Sequence, residues 1–549
     1  MGLSGFRAEL RYERNAMKKT VALGWLVAMV GLGSSPATSS AASSAADARP
    51  NVVVILADDM GFSDLGSYGG EIETPILDGL AANGLRFTQF YNTGRCWPSR
   101  AAFLTGYYAQ QVNRDPAKRR PEWATLLPEL LRTSGYRTYH SGKWHVDGPV
   151  LAGGFERSYL VTDHDRNFNP REHFVDDRPV PLPKAEDHYY STKAIAEHGV
   201  SWLAEHEKAH KDEPFFLYIA FTAPHFPLQA PAEDVARYRD RYQVGWDVIR
   251  DRRWNRIKQL GIVDGALPAY DPKTLPGWNL SEEELHARIG PGETGVVGPW
   301  DALTDEQKRF QTAKMAVHAA MVDRMDRGIG LVVDRLKAMG AFENTLILFM
   351  SDNGASAEQM IRGDGHDPKA EPGAARSFLG LGPGWATVSN TPFRLYKVWN
   401  HEGGISTPLI AHWPKGIAAR GELRRTPGHL VDLAPTIFEL ARITPPDSYH
   451  GEPRPPLPGR SLVPAFAHDV TVPHDFLFFK HEGNRALRAG DWKIVSNGPA
   501  GAWELYNLAV DRTETHNLAA DQPDRLKALV AIWERQDREY QTQGATGKR

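Results

Sequence analysis

The sequence predicts an α/β fold built on a mostly parallel sheet, followed by a smaller α+β appendage. Three observations carry that expectation. Short, continuous apolar runs such as Asn51–Ala57 (NVVVILA) read as strands buried on both faces of a sheet. These runs alternate with helical patterns, the order of a parallel sheet. From about Val472 the texture changes to short strands separated by Gly and Asn, which reads as an antiparallel sheet.

Taken in order, Asn51–Ala57 is the first strand and ends at Asp58-Asp59. Pro75 to Asn83 reads as a helix closed by Gly84, and Leu85 to Tyr91 as the second strand. Pro121 to Ser134 carries Leu126, Leu127, Leu130 and Leu131 at helical spacing, with Gly135 at the stop position. Tyr136 to His140 is a short strand that ends just before Gly142-Lys143-Trp144-His145. A helix over Ser191–His206 leads into the strand Phe215–Phe221, which ends at Pro224-His225. Residues 230–300, rich in Pro, Trp and Gly, read as an irregular insertion that shapes an active-site entrance. Thr304-Asp305-Glu306-Gln307 is a capping box opening a long amphipathic helix that Gly340 closes. Leu346 to Met350 is a further strand, ending at Ser351-Asp352-Asn353. Phe476–His481, Arg485–Ala489, Trp492–Val495 and Trp503–Tyr506 are the strands of the appendage, and Pro523–Tyr540 is its helix.

The composition is that of a folded globular protein: 549 residues, 41% apolar and 24% charged. It excludes intrinsic disorder, collagen and multi-span membrane architectures. With 64 basic against 67 acidic residues the net charge is -3, which offers no general basic surface for nucleic acid. A single cysteine, Cys96, removes every intrachain disulfide and every Cys-rich metal site.

Met17-Lys18-Lys19 opens an apolar stretch from Thr20 to Gly33, followed by small residues and Ala46-Asp47-Ala48. A charged start, a short apolar core and an A-x-A-like site read as a secretory signal peptide over residues 1–48, with an uncleaved anchor helix as the competing reading. The expected location is therefore periplasmic or secreted, with the secretion machinery as a partner and no stable membrane association after cleavage. The expected domains are a catalytic unit over 49–470 and a C-terminal subdomain over 471–549.

Open α/β sheets bind ligands at the carboxyl ends of their strands. Four expected strand ends carry polar groups: Asp58-Asp59, Lys143/His145, His225 and Asp352-Asn353. Each pair alone has the plainer reading of a turn cap. Together, three carboxylates and an amide oxygen make a hard oxygen set suited to Ca²⁺ or Mg²⁺, with Ca²⁺ ahead.

Cys96-Trp97-Pro98-Ser99-Arg100, followed by Leu104-Thr105-Gly106, resembles the signature of the formylglycine-dependent sulfatases of the alkaline-phosphatase superfamily. Gly135-Tyr136-Arg137-Thr138 with Gly142-Lys143-Trp144-His145 resembles that family's second signature. Asp58-Asp59, Ala223-Pro224-His225, Ser351-Asp352-Asn353-Gly354, Lys397 ahead of Glu402-Gly403-Gly404, and Glu504-Leu505-Tyr506-Asn507-Leu508 extend the resemblance over roughly residues 50–540. Its flavour is that of the bacterial arylsulfatases. The resemblance implies a large mixed, mostly parallel sheet sandwiched by helices. It also implies hydrolysis of a sulfate ester, of the aryl or small organic kind, by Cα-formylglycine made from Cys96 by a maturation enzyme. In this scheme Asp58, Asp59, Asp352 and Asn353 bind the metal, and Arg100 and Lys143 stabilise the deprotonated diol. His145 is the base of the elimination step, while His225 and Lys397 hold the sulfate and protonate the leaving oxygen.

The sequence departs from the family in one place: Ser406 stands two residues after the glycine pair, where Arg is usual. Three other readings compete. A phosphodiester or phosphonate monoester hydrolase of the same superfamily would share the architecture. A catalytically silent relative would be expected to lose Cys96, Lys143 or His145, all of which are present. His206-Glu207-Lys208-Ala209-His210 matches the zinc-protease pattern H-E-x-x-H, at what reads as a solvated helix end. Trp246, Trp254, Trp278 and Trp300 of the insertion read either as packing anchors or as faces for an aryl ring or sugar.

Overall fold

The structure, a computed structural model, describes residues 49–162 and 165–545; the expected leader lies outside the described residues. The main sheet is formed by β1 (Asn51–Ala57), β2 (Leu85–Tyr91), β3 (Arg137–Gly142), β4 (Arg157–Val161), β5 (His173–Val175), β6 (Arg178–Pro179), β7 (Phe215–Ala220), β8 (Thr345–Ser351), β9 (Ser406–His412), β10 (Glu422–Arg424) and β11 (Gly428–His429). They order as β10-β2-β9-β8-β1-β7-β3-β4-β5-β6, with β11 also on β2. Strands β8, β1, β7, β3 and β4 run parallel. β9 runs antiparallel between β2 and β8.

The continuous apolar runs are explained by burial on both faces. Val53, Ile55 and Ala57 enter one hydrophobic core, whereas Val52, Val54 and Leu56 enter the other. Strands β7 and β8 divide in the same way. Each such Val, Leu or Ile contributes roughly 1.5–3 kcal/mol of burial. The helices Ser191–Ala209 and Asp305–Ala338 cover the first face. Cys96–Thr105, Leu127–Thr133 and Leu433–Ala441 cover the second. The long helix opens with the expected capping box: the Thr304 hydroxyl accepts from Gln307 N at 3.2 Å, and the Gln307 side chain accepts from Thr304 N at 3.0 Å.

Two expectations are corrected. The helix expected from Pro121 begins only at Leu127, because Pro128 has no N–H to close a turn onto residue 124. Residues 230–300 are not irregular throughout but hold the helices Ala232–Ala236, Trp246–Gln259 and Glu282–Arg288. The middle helix buries Trp246, Ile249, Arg250, Arg253, Trp254 and Ile257 along one stripe. Two arginines in that stripe hide its helical period, and Arg253 is buried only because Asp64 and Glu71 each accept from it at 2.8 Å. Trp246 and Trp300 pack edge to face, with centroids 4.9 Å apart, so they are core anchors; Trp278 is the exposed one.

The H-E-x-x-H segment lies at the exposed C-terminal end of the helix Ser191–Ala209, with Lys208 and Ala209 in solvent, but its first histidine is covered. His206 is 2% exposed and its Nδ1 meets the Tyr139 hydroxyl at 3.1 Å. Glu207 pairs with Arg335, and His210 with Glu213 at 2.8 Å. Among the described residues the segment gathers no third metal-ligating side chain, which removes the zinc-protease reading. No helix among them is long and apolar enough to cross a membrane.

The C-terminal strands Leu477–His481, Asn484–Ala489, Trp492–Ser496 and Glu504–Asn507 form an antiparallel sheet in sequence order. The helix Pro523–Ala545 packs on it, with Phe478 and Trp533 stacked at 5.6 Å. Buried charge ties this sheet to the main one. Glu402 accepts from Lys493 and Arg512 at 2.9 Å, from the Tyr91 hydroxyl at 3.0 Å and from Ser406 Oγ at 2.9 Å. Ser406 thus meets Glu402 through its hydroxyl, while Lys493 and Arg512 supply the positive charge around that carboxylate. Truncating Glu402 to Ala takes the carboxylate from buried Arg512 and leaves Lys493 to Glu514 alone, so chemical denaturation should show a loss of roughly 3–5 kcal/mol.

Candidate active site

Parallel strands present their carboxyl ends at one edge of the sheet, and the chemistry-bearing residues collect there. Asp58 and Asp59 follow β1, Lys143 follows β3, His225 lies in the turn after β7, and Asp352 and Asn353 follow β8. Cys96 is the first residue of the helix after β2. Lys397 reaches the same edge by the opposite route: because β9 is antiparallel, the chain that precedes it arrives where its neighbours end. The glycine pair before β9 permits a close approach there, since a Cβ on Gly404 would lie 1.9 Å from the Trp399 carbonyl oxygen.

The spacing of the C-x-P-S-R segment follows from the helix. Ser99 and Arg100 stand three and four residues after Cys96, on its side of the helix. Ser99 Oγ donates to the Asp352 carbonyl at 2.6 Å and accepts from Thr93 N at 3.0 Å. Arg100, fully buried, donates through Nε and Nη2 to Asp352 Oδ2 at 3.0 and 2.7 Å. Its Nη1 donates to the Lys143 carbonyl at 3.0 Å and to the Tyr218 hydroxyl at 3.3 Å. The segment therefore fastens the Cys96 helix to the end of β8.

The remaining charges pair across the cluster. Lys143 Nζ donates to Asp58 Oδ2 at 2.6 Å. Lys397 Nζ donates to Asp59 Oδ2 at 2.9 Å and pairs with Glu358 at 2.8 Å. Asn353 Nδ2 donates to Asp59 Oδ1 at 2.6 Å. Asp58 Oδ1 and Asn353 Oδ1 are buried acceptors with no hydrogen-bond donor. His225 Nδ1 donates to the Phe226 carbonyl at 2.5 Å, and its Nε2 lies 3.7 Å from Asp59 Oδ2. Asp58, Asp59 and His225 can bring ligand atoms within 4.8 Å of one another. Asp352 stands beside them, its Oδ2 held by Arg100 and its Oδ1 accepting from Asp59 N at 3.4 Å.

Burial raises the carboxyls of the cluster, and cations pull them back unequally. Asp58 ends well below the usual carboxylate range because Lys143, His225, Arg100 and Lys397 outweigh its burial. Asp59 is pushed up by burial. Asp352 rises to about 7 through burial and the charge of Asp58. Burial, then Lys397, drives the His225 imidazole well below its ordinary value. Burial also lifts the Cys96 thiol despite Lys143 and Lys397, so the side chain as encoded is not a ready thiolate. The two donor-less buried oxygens of Asp58 and Asn353, next to Asp59, fit a hard divalent cation.

The backbone departs from the pleat in places. His145 has φ 54 and Asp59 φ 66, and β-branched Val398 has φ 88, a conformation that such residues rarely adopt. Lys143 and His145 lie in the irregular segment after β3, and the left-handed conformation of His145 breaks any strand-like alternation between them. His145 comes edge-on to Trp97 with ring centroids 5.7 Å apart. Sequence patterning does not single out Glu358, Arg95 or Tyr218. Glu358 is an acid five residues beyond Asn353 with no motif around it, and only its partners reveal it: Lys397, Arg95 at 3.2 Å and Trp278 Nε1 at 3.0 Å.

Comparison with known proteins places this geometry in context. The sulfatase family profile matches residues 50–443, and that of the N-sulphoglucosamine sulphohydrolase C-terminal region matches 393–539. An uncharacterised sulfatase of Schizosaccharomyces pombe is 33% identical, covering 88% of this chain and 93% of its own. An arylsulfatase of Klebsiella aerogenes is 33% identical over 75% of this chain and 91% of its own. Among solved structures, Ps i-CgsB in complex with k-i-k-neocarrahexaose shares the fold, with a TM-score of 0.63 and 24% identity over 91% of this chain and 95% of that one.

The Ser99 hydroxyl is the smallest part of this arrangement that can be removed cleanly. Ser99→Ala leaves the Asp352 carbonyl and Thr93 N without their partner, so equilibrium unfolding should report a loss of about 1–3 kcal/mol.

Proposed function

This chain belongs to the sulfatase family and is a sulfuric ester hydrolase, and on that premise we propose that it cleaves aryl or other small organic sulfate esters with a nucleophile made from Cys96. The observation that carries the proposal is the buried charge cluster at which Cys96 opens its helix, with Arg100, Lys143 and Lys397 acting on it and His225 in the same cluster. In our reading a maturation enzyme converts Cys96 to formylglycine. Once present, the hydrated aldehyde supplies both a nucleophilic hydroxyl and a route to release sulfate, and one Ca²⁺ held by Asp58, Asp59, Asp352 and Asn353 supplies a Lewis acid.

The chain's own residues do the rest. Arg100 and Lys143 hold negative charge beside position 96. His145 takes the proton that must leave for sulfate to be released. Lys397 and His225 bind the sulfate and deliver a proton to the departing oxygen. Residues 49–470 form the catalytic unit and 471–549 the C-terminal subdomain. With the leader over 1–48, the protein would work in the periplasm or outside the cell. Trp97 and Trp278, flanking Arg95, support an aryl leaving group.

Mass spectrometry of the peptide containing residue 96 should show a loss of about 18 Da relative to Cys, the mass change of thiol-to-aldehyde conversion. An unmodified thiol in fully active protein would refute the mechanism. Turnover of nitrophenyl sulfate should far exceed that of a nitrophenyl phosphodiester; the reverse would assign the chain to phosphoryl chemistry. Lys397→Ala should lose about tenfold more kcat/KM on an alkyl sulfate than on nitrophenyl sulfate, since a poor leaving group depends more on its proton. Adding Ca²⁺ to chelator-treated protein should raise its thermal midpoint, by about 2.7 kcal/mol of linkage at a hundredfold excess over Kd. Asp58→Ala should abolish that shift.

A further inference from the structure

Arg95 immediately precedes Cys96 and is 8% exposed. Its guanidinium lies between two indoles, with Cζ 5.1 Å from the Trp97 ring centroid and 5.3 Å from that of Trp278. Trp97 in turn meets His145 and, from the C-terminal subdomain, His481 at 5.2 Å. Trp278, from the insertion, is 40% exposed. The row Trp278–Arg95–Trp97–His145 therefore runs from the surface to the expected base.

Only one nitrogen of this guanidinium is engaged. Nη2 pairs with Glu358 Oε1 at 3.2 Å, while Nε and Nη1 are buried without a hydrogen-bond partner. Glu358 does not neutralise Arg95 alone, because it also pairs with Lys397 at 2.8 Å and accepts from Ser356 at 3.1 Å and Trp278 at 3.0 Å. Glu482, an exposed side chain that lies 3.6 Å from His481, and buried Asp59 are further anions that act on Arg95. Desolvated donors are costly unless a ligand completes them, and a guanidinium between aromatic rings is oriented before anything binds.

We propose that Arg95, held between Trp97 and Trp278, is a specificity subsite for a second anionic group, carboxylate or sulfate, on the leaving group of the ester. This rests on the sulfatase reading above and narrows its substrate class. An aromatic leaving group can lie on the exposed face of Trp278 while its anion accepts from the unused donors of Arg95. Glu358 keeps the guanidinium in place and links it to Lys397, so the charged substituent and the scissile ester are held by one connected set of residues.

The test compares kcat/KM on nitrophenyl sulfate, a sulfooxybenzoate and a benzene disulfate. The parent enzyme should favour the two charged esters, and the larger preference identifies carboxylate or sulfate as the better ligand. Arg95→Gln should lower the charged-to-neutral ratio at least tenfold. Trp278→Ala, at an exposed ring, should lower it in the same direction and serves if Arg95→Gln does not fold. An unchanged ratio, or an equal fall on all three esters, overturns the proposal. Calorimetric binding of hydroxybenzoate against phenol separates the two readings. If no ester is hydrolysed, the sulfatase reading of this site fails, while an Arg95-dependent preference for hydroxybenzoate still upholds the subsite and its loss refutes it.

Discussion

Three carboxylates, Asp58, Asp59 and Asp352, are packed out of water at one edge of the sheet, and their mutual repulsion is the constraint on which the surrounding structure depends. Two like charges about 4 Å apart repel by roughly 4 kcal/mol at the effective dielectric of a protein site. The fold answers with one cation for each: Lys143 for Asp58, Lys397 for Asp59 and Arg100 for Asp352. Each cation comes from a different element. The site can therefore exist only when β1, β8, β3 and the Cys96 helix are all in place. The pairing continues outward through Glu358, which ties Lys397 to Arg95.

The reversed strand β9 makes that pairing possible and joins the two sheets. The loop before it carries Lys397 to Asp59 and, five residues later, Glu402 to Lys493 and Arg512 of the C-terminal part. Val398, strained at φ 88, donates through its backbone N–H to the Gly94 carbonyl at 2.8 Å and accepts from Asn484 Nδ2 at 3.0 Å. The C-terminal sheet is thus part of what holds the Lys397 segment, and its His481 packs edge-on against Trp97.

Much of this is legible locally. Runs such as NVVVILA have no polar face, so burial on both sides follows from the run alone. The polar residues that end those runs mark the edge at which the site forms. The helix Trp246–Gln259 escapes such reading because Arg250 and Arg253 interrupt its apolar stripe, and their burial is decided by Asp64, Glu71 and other distant partners. His206 is deceptive for a related reason: its charged neighbours suggest solvent, whereas Tyr139 from an adjacent strand covers it.

By itself the sequence determined the α/β class, the strand ends that carry chemistry, the Cys96 segment and its family, because these rest on periodicity and on motifs a few residues long. Only the tertiary structure decided which cation answers which carboxylate, that β9 runs backwards to deliver Lys397, and that Glu358 and Arg95 belong to the site at all. The reason is physical. A charge pair is fixed by distance in space, and Asp59 and Lys397 are 338 residues apart in the chain yet 2.9 Å apart in the fold.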